Sequence, residues 1–154
     1  MISLKFLDKN EKKELIQKLN EQFGIKEIPW PLIKWGNERI IIFSGNADEK
    51  EIEKIRELAI IEIIGLYFAK EEYGLRLSIE ATQLLKNQIT KNIFELNEEQ
   101  MNEWMKGHEL NIQTGKKGFL VMKYKNDLLG CGKASENKIS NFVPKERRIK
   151  ERNT

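Results

Sequence analysis

The stretch that decides the fold is Gly115–Arg148, with the sequence GKKGFLVMKYKNDLLGCGKASENKISNFVPKERR. Three apolar runs separated by short polar segments lie within it: GFLVMKY (118–124), LLGCGKA (128–134) and ISNFV (139–143). The polar pairs Asn126-Asp127 and Asn137-Lys138 are typical of the turns that join antiparallel strands. The stretch therefore predicts a tight β-meander that ends in a basic segment.

The residues upstream of this meander predict short strands and helices in alternation. Ser, Asn and acidic residues stand where helices are expected to begin, and glycines and prolines stand where regular structure is expected to end. The predicted elements after Gly74 are a strand at Leu75–Ser78, a short helix at Ile79–Leu85, a loop at Lys86–Asn92, a strand at Ile93–Leu96 and a helix from Asn97 to about Lys106.

The N-terminal half predicts two helices around a short strand. The apolar positions of Asp8–Phe23 fall on one helical face, and Gly24 would end this helix. Pro29 and Pro31 exclude regular helix from Ile28 to Gly36. The remaining predictions are a buried strand at Arg39–Ser44 and a long helix from Asn46 or Asp48 to about Glu72, with Gly65 inside it.

These elements predict an α+β fold in two domains: 1–74, which is α/β, and 75–150, with a basic tail at 151–154. The chain has 154 residues, of which 40% are hydrophobic, so a sizeable core is expected. Its longest apolar stretch, Leu58–Ala69, is interrupted by Glu62 and is too short to span a membrane. The N-terminal apolar run is likewise too short for a signal peptide, so we expect a cytoplasmic protein without a membrane partner.

The chain lacks the residue patterns of a catalytic or metal site. It contains one cysteine, Cys131, and one histidine, His108, which excludes an internal disulfide and a cysteine-built zinc site. Cys131 is expected to be a small buried residue rather than a reactive thiol. Because no spacing supports a nucleophile or a general base, we predict no enzymatic activity, no cofactor and no metal.

The charge of the chain is unevenly distributed. Residues 1–74 carry a net charge of −2, residues 75–154 carry +5, and residues 115–154 carry +7. A basic segment of this kind indicates a surface for a polyanion such as nucleic acid. A solvated lysine-rich surface without a partner is the alternative that charge alone leaves open.

Several of these residues carry a resemblance to a known family. The run Leu129-Gly-Cys-Gly-Lys-Ala134, followed by Asn141, Pro144, Lys145, Arg147 and Arg148, resembles the PUA domain at the end of Sun-family RNA cytosine-C5 methyltransferases and in small ribosome-biogenesis proteins. The resemblance implies a PUA-type β pseudo-barrel with short helices, preceded by a pre-PUA domain, and it implies RNA binding. The methyltransferase activity is not implied, because the sequence contains neither a glycine-rich SAM-binding loop nor paired cysteines.

Basic side chains near the meander are the candidate RNA contacts, because Lys and Arg bind phosphate oxygens. Asn141 joins them through the resemblance, and so do the lysines of the loop 86–91. The predicted RNA-binding residues are Lys86, Lys91, Lys116, Lys117, Lys133, Lys138, Asn141, Lys145, Arg147 and Arg148. Gly130 and Gly132, two apart on one strand face, are expected to be structural.

The sequence therefore predicts a non-catalytic RNA-binding protein acting in rRNA maturation or in tRNA or rRNA modification. Its expected partners are rRNA or tRNA, together with an RNA methyltransferase or a ribosome-assembly protein. The alternative is a protein–protein adaptor that docks such a protein through the N-terminal domain. In that case Trp30 and Trp35 would be exposed anchors rather than core residues.

Overall fold

The computed structural model describes residues 4–43 and 65–150, which form two β-sheets with helices packed between and beside them. The first sheet has five strands in the order β1-β2-β3-β4-β5, and every neighbouring pair is antiparallel. Its strands are β1 (Leu4–Phe6), β2 (Leu32–Trp35), β3 (Arg39–Phe43), β4 (Gly65–Glu72) and β5 (Gly74–Leu77).

The second sheet contains the predicted β-meander. It has four strands, and β6 joins it in parallel to β7, whereas the β7–β8 and β8–β9 pairs are antiparallel. Its strands are β6 (Ile93–Glu95), β7 (Gly118–Tyr124), β8 (Asp127–Ala134) and β9 (Ile139–Ser140). The meander is confirmed, but its last strand is shorter than predicted, because residues 141–143 leave the ladder. The first turn comprises Lys125 and Asn126, one residue earlier than expected.

The helices begin at side chains that accept hydrogen bonds from the first turn. Within 4–43 and 65–150 they are α1 (Lys9–Phe23), α2 (Ile79–Leu84) and α3 (Glu98–Met105), followed by a 3-10 turn at Lys145–Arg147. Asp8, Ser78 and Asn97 cap the three α-helices. Gly24 ends α1 in the left-handed region, with φ 87°, as its sequence position predicted.

The prediction of a helix continuing to Glu72 was wrong. Residues Gly65–Glu72 form strand β4, paired with β3 on one side and β5 on the other. The periodicity of a short apolar run does not distinguish a buried strand from a buried helix. Only the pairing with β3 and β5 identifies this run as a strand. The part of the predicted helix at 46–64 lies outside the described residues.

One large apolar cluster connects the two sheets. It contains Leu19 and Phe23 of α1, Phe68 of the first sheet, and Phe119 and Val121 of the second, all nearly inaccessible to solvent. The predicted boundary at Gly74 falls at the first residue of β5, directly after the hairpin tip at Tyr73. The α+β class is confirmed, whereas the two-domain division, the pre-PUA identity of the first part and barrel closure stay predictions.

Gly132 has the structural role that its sequence position predicted. A Cβ atom at this residue would come within 2.7 Å of the Trp104 ring and would also collide with Ile139. Trp104 is fully buried, and its Nε1 donates a hydrogen bond of 3.0 Å to the Leu129 carbonyl. The missing side chain therefore lets α3 dock on β8.

Strand β5 lies at the edge of the first sheet, and α1 covers part of that edge. The side-chain amide of Gln22 donates to the Leu75 carbonyl at 2.8 Å and accepts from the Leu75 amide at 3.0 Å. One side chain thus satisfies both backbone groups of an edge residue.

Candidate nucleic-acid interface

Four predicted lysines lie around the first residues of β7. In the β7–β8 ladder Phe119 is opposite Lys133, and Lys116 and Lys117 immediately precede β7. On the other side of β7, the parallel register of β6 pairs Ile93 with Val121, so the preceding Lys91 lies toward the same end. We call Lys91, Lys116, Lys117 and Lys133 together the lysine end of the second sheet.

The ammonium groups of the lysine end make no direct ion pair among the described residues, although Lys133 is near enough to Glu72 to help lower the pKa of that carboxyl. Within the ranges 4–43 and 65–150, none of the four forms an ion pair with a carboxylate. Lys133 is half-buried, and its Nζ lies 5.8 Å from the centre of the Tyr73 ring and 5.9 Å from that of Phe119. The four ammonium groups are therefore open to contact by an anionic partner, with the charge of Lys133 partly offset by Glu72.

Lys138 lies near this end but is paired. It belongs to the connection between β8 and β9, and a hydrogen bond of 3.0 Å from Gln113 to Asn137 holds that connection against the segment before β7. The Nζ of Lys138 is 3.0 Å from a carboxylate oxygen of Glu109. Its charge is therefore partly compensated in the free protein.

Lys86 lies at the opposite end of the β7–β8 ladder. Its Nζ donates a hydrogen bond of 3.1 Å to the carbonyl of Asn126, in the turn between the two strands. The six steps from Gly118 to Tyr124 separate this turn from the lysine end by about 20 Å, at roughly 3.4 Å per residue. Lys86 is thus not part of the same patch.

The basic residues of the C-terminal segment have internal partners. Arg147 forms an ion pair with Glu80 of α2 at 2.5 Å. The Nε of Arg148 donates to the Val143 carbonyl at 3.0 Å, and its side chain lies against Gly107. Lys145 is exposed and forms no ion pair among the described residues. This segment is as basic as predicted, yet both of its arginines are already engaged.

Asn141 is bound inside the fold. Its side-chain Nδ2 donates to the carbonyls of Trp104 at 2.8 Å and His108 at 2.9 Å. Its Oδ1 accepts from the Val143 amide at 2.8 Å. These bonds tie the end of α3 to the segment that follows β9, which gives the residue a structural role independent of RNA.

The sequence did not single out Tyr73, the most exposed large hydrophobic residue that the structure describes. It stands at the tip of the β4–β5 hairpin and is 95% exposed. Gly74, with φ 121°, follows it in the tight turn. The only signal in the sequence is a tyrosine directly before a turn glycine, which is a weak one.

Arg76 was also missed, although it lines a small recess with Ser78, Phe142 and Pro144. Its guanidinium lies 4.1 Å from the centre of the Phe142 ring. Its buried Nε has no hydrogen-bond partner, and one terminal nitrogen is 3.9 Å from Glu72. The sequence gives no sign of this contact, because Arg76 stands between two core leucines in an ordinary alternating strand.

The titratable groups of the described residues show no catalytic arrangement. A hydrogen bond from Lys70 lowers the pKa of Glu72, and burial raises the pKa of Tyr67. Burial raises the pKa of Cys131 to about 12, so its thiol stays protonated, as expected of a small buried residue. No cluster of three or more potential ligands for a metal occurs in 4–43 or 65–150. Over the same ranges, every helix is too short or too polar to cross a bilayer.

Both tryptophans of the N-terminal half are half-buried. Trp30 packs against the large cluster between the sheets. Trp35 packs against a separate small cluster on the first sheet, where the Arg39 guanidinium lies 6.0 Å from its ring centre. Each ring retains some exposed surface, so both tryptophans are accessible to a protein partner, as the adaptor alternative requires.

Part of this chain matches a known protein family, and most of it aligns with known proteins. Residues 91–149 match the family described as Methyltransferase RsmF PUA domain. Ribosomal RNA small subunit methyltransferase F of Vibrio parahaemolyticus is 26% identical over 90% of this chain, and that of Vibrio campbellii is 27% identical over 88%. The protein of the same name from Aliivibrio fischeri is 34% identical over 47% of the chain.

These matches cover a small part of each relative. The alignments span 29% of the two Vibrio proteins and 15% of the Aliivibrio protein. The chain thus spans less than a third of the length of the curated relatives it matches. The expected resemblance to the PUA tail of Sun-family methyltransferases is confirmed, and it includes the segment that carries the lysine end.

Proposed function

We propose that this chain is an RNA-binding module acting in ribosomal RNA modification, and that the lysine end is its principal contact surface. The observation that carries the proposal is the coincidence of two features. The segment that matches the RsmF PUA domain, 91–149, contains all four residues of the lysine end. Those residues have no carboxylate partner within the described part of the chain.

The proposed role is recognition rather than chemistry. The relatives are named as small-subunit rRNA methyltransferases, and the family match falls on their PUA domain. We infer that the chain positions an RNA for modification without carrying a catalytic group of its own. Small-subunit rRNA is the preferred substrate class, with tRNA as the second candidate, and an RNA methyltransferase or a ribosome-assembly protein is the proposed protein partner.

The lysine end would bind RNA mainly through its phosphates. Each phosphate that a lysine neutralises releases condensed counterions, so the association constant falls with salt concentration. For single-stranded nucleic acid the slope of log K against log salt is about −0.7 per phosphate, so four contacts predict a slope of about −3. Lysine acts as a point charge, which suits contact with phosphates of any sequence.

The proposal is tested by fluorescence anisotropy with the 154-residue chain. Labelled small-subunit rRNA fragments and labelled tRNA would be titrated at several salt concentrations between low and physiological. We expect binding at low salt that weakens along a slope of about −3. No binding at low salt, or binding that salt does not weaken, would refute the proposal.

A second candidate function is docking of a protein partner through the first sheet. The partly exposed Trp35 beside Arg39 favours it, because tryptophan and arginine are enriched among residues that dominate interface energies. Isothermal titration against an RsmF-type methyltransferase tests it. Binding that is lost in Trp35→Ala, with RNA affinity unchanged, would support docking, and absence of binding in the unsubstituted chain would exclude this partner.

A further inference from the structure

The side chain of Tyr73 projects from the surface, and almost none of its ring is buried. The residue lies between Glu72 and Gly74, which are paired with each other across the β4–β5 hairpin. At 95% exposure it differs from the other exposed large hydrophobic residues described, Leu84 at 48% and Ile149 at 49%. Its ring therefore adds almost nothing to the core and is accessible to a partner.

The lysine end places positive charge beside this ring. The Nζ of Lys133 lies 5.8 Å from its centre, near the outer limit of about 6 Å for a cation–π contact. The Phe119 ring packs within reach of Gly74, since a Cβ atom there would lie 3.4 Å from it. The hairpin tip and the start of β7 are thus neighbours, and Tyr73 stands beside the residues proposed to bind phosphates.

The acidic residues next to Tyr73 make their direct ion pairs with other lysines. Glu71 is paired with Lys18 at 2.8 Å, and Glu72 is paired with Lys70 at 3.0 Å. Lys133 forms no ion pair among the described residues. The local surface therefore combines an open aromatic face with a cation that has no direct carboxylate contact among the described residues, although its charge also acts on Glu72. Aromatic faces beside cations are used to hold single-stranded nucleic acid.

We propose that Tyr73 is a stacking platform for one unpaired base of a bound RNA, and that Lys133 contacts a phosphate adjacent to that base. The proposal rests on the RNA-binding function proposed above and specifies its substrate class as single-stranded RNA. In a duplex both faces of each internal base are covered by neighbouring bases, so a ring that projects from a hairpin tip cannot stack on them. Binding through Tyr73 thus favours loops, bulges and strand ends.

The test measures the affinity of the full chain for a labelled oligo(rA) strand and for the same strand annealed into a duplex. We expect Tyr73→Ala to weaken binding to the single strand about tenfold and to leave the salt slope unchanged, because stacking releases no counterions. Tyr73→Phe keeps the ring and should bind like the unsubstituted chain. Lys133→Gln should instead make the slope shallower by about 0.7.

Leu84→Ala is the matched control, since it removes an exposed apolar side chain from α2 outside this surface, and it should leave binding unchanged. Equal affinity of the unsubstituted chain and Tyr73→Ala for the single strand would overturn the stacking proposal and leave RNA binding intact. An equal loss in Tyr73→Phe and Tyr73→Ala would also overturn it, because the hydroxyl rather than the ring would then be responsible. Failure of the unsubstituted chain to bind either RNA would instead refute the RNA-binding function itself.

Discussion

The lysine end and the C-terminal segment are both basic, but their charges differ in availability. At the lysine end, Lys91, Lys116, Lys117 and Lys133 have no carboxylate partner within 4–43 and 65–150. In the C-terminal segment, Arg147 is paired with Glu80 and Arg148 is bound to a backbone carbonyl. The carboxylate of Glu80 offsets the charge of Arg147 and so weakens its attraction for a phosphate, whereas the carbonyl bound by Arg148 occupies one donor and leaves its charge in place.

The largest effect on RNA binding is expected from the lysine end. Replacing Lys116, Lys117 and Lys133 together with Gln removes three phosphate contacts, each worth about fivefold at roughly 0.1 M salt. The triple variant should bind about 100-fold more weakly, and its salt slope should become shallower by about 2. Anisotropy titrations at several salt concentrations measure both quantities. An affinity within twofold of the unsubstituted chain would contradict the assignment.

A smaller effect is expected from the C-terminal segment. In the variant Lys145→Gln, Arg147→Gln, Arg148→Gln two of the three charges removed, those of Lys145 and Arg148, have no carboxylate partner among the described residues, whereas Arg147 is paired with Glu80. We expect a loss of about 25-fold under the same conditions, corresponding to two phosphates at about fivefold each. A loss equal to that of the lysine triple would show that Arg147 gives up Glu80 on binding RNA, and the two segments would then not differ.

Asn141→Ala should affect stability without affecting RNA contact. The substitution removes two donated hydrogen bonds and leaves the Val143 amide without its acceptor. We expect a loss of about 1–3 kcal/mol in the free energy of unfolding and a fall in Tm of about 2–10 °C. Thermal unfolding followed by circular dichroism measures the change, with the exposed Asn111→Ala as control. RNA affinity reduced well below Tm would show that Asn141 also contacts RNA.

The smallest effect is expected from Cys131. Because its thiol is buried and its pKa is raised to about 12, the reactive thiolate is scarce in the folded protein at pH 8. Iodoacetamide should label Cys131 slowly at both pH 8 and pH 9, although the small thiolate fraction rises about tenfold between them, and rapidly once guanidinium chloride unfolds the chain. Mass spectrometry follows the labelling, and bound RNA should not alter it. Fast labelling of the folded chain would show that β8 opens locally.

Local sequence patterns predicted the second sheet better than the first. The β-meander was recognisable because three short apolar runs separated by two polar turn pairs specify antiparallel strands within 26 residues, 118–143. Strands β1 and β2 were missed because they have three and four residues and no turn joins them. Strand β4 was taken for helix because its apolar run is defined by neighbours distant in sequence.

The sequence likewise predicted which residue types would form the site, but not which charges are paired or which side chains are exposed. It identified the basic residues, because charge can be counted along the chain. It could not show that Arg147 is paired, because its partner Glu80 is 67 positions away. It also gave no weight to Tyr73, because only the fold reveals that this ring is almost fully exposed and beside Lys133.

The hydrogen bonds of Gln22 to Leu75 have a consequence for association between copies of the chain. Edge strands expose unpaired amides and carbonyls on which another chain can add a strand and so begin aggregation. The side-chain amide of Gln22 bonds the carbonyl of Leu75 at 2.8 Å and its amide at 3.0 Å. These two bonds interrupt the row of unpaired backbone groups along the short edge strand β5. Loss of that side-chain amide would leave both groups of Leu75 open to a strand from another copy of the chain, beside the hairpin that carries Tyr73.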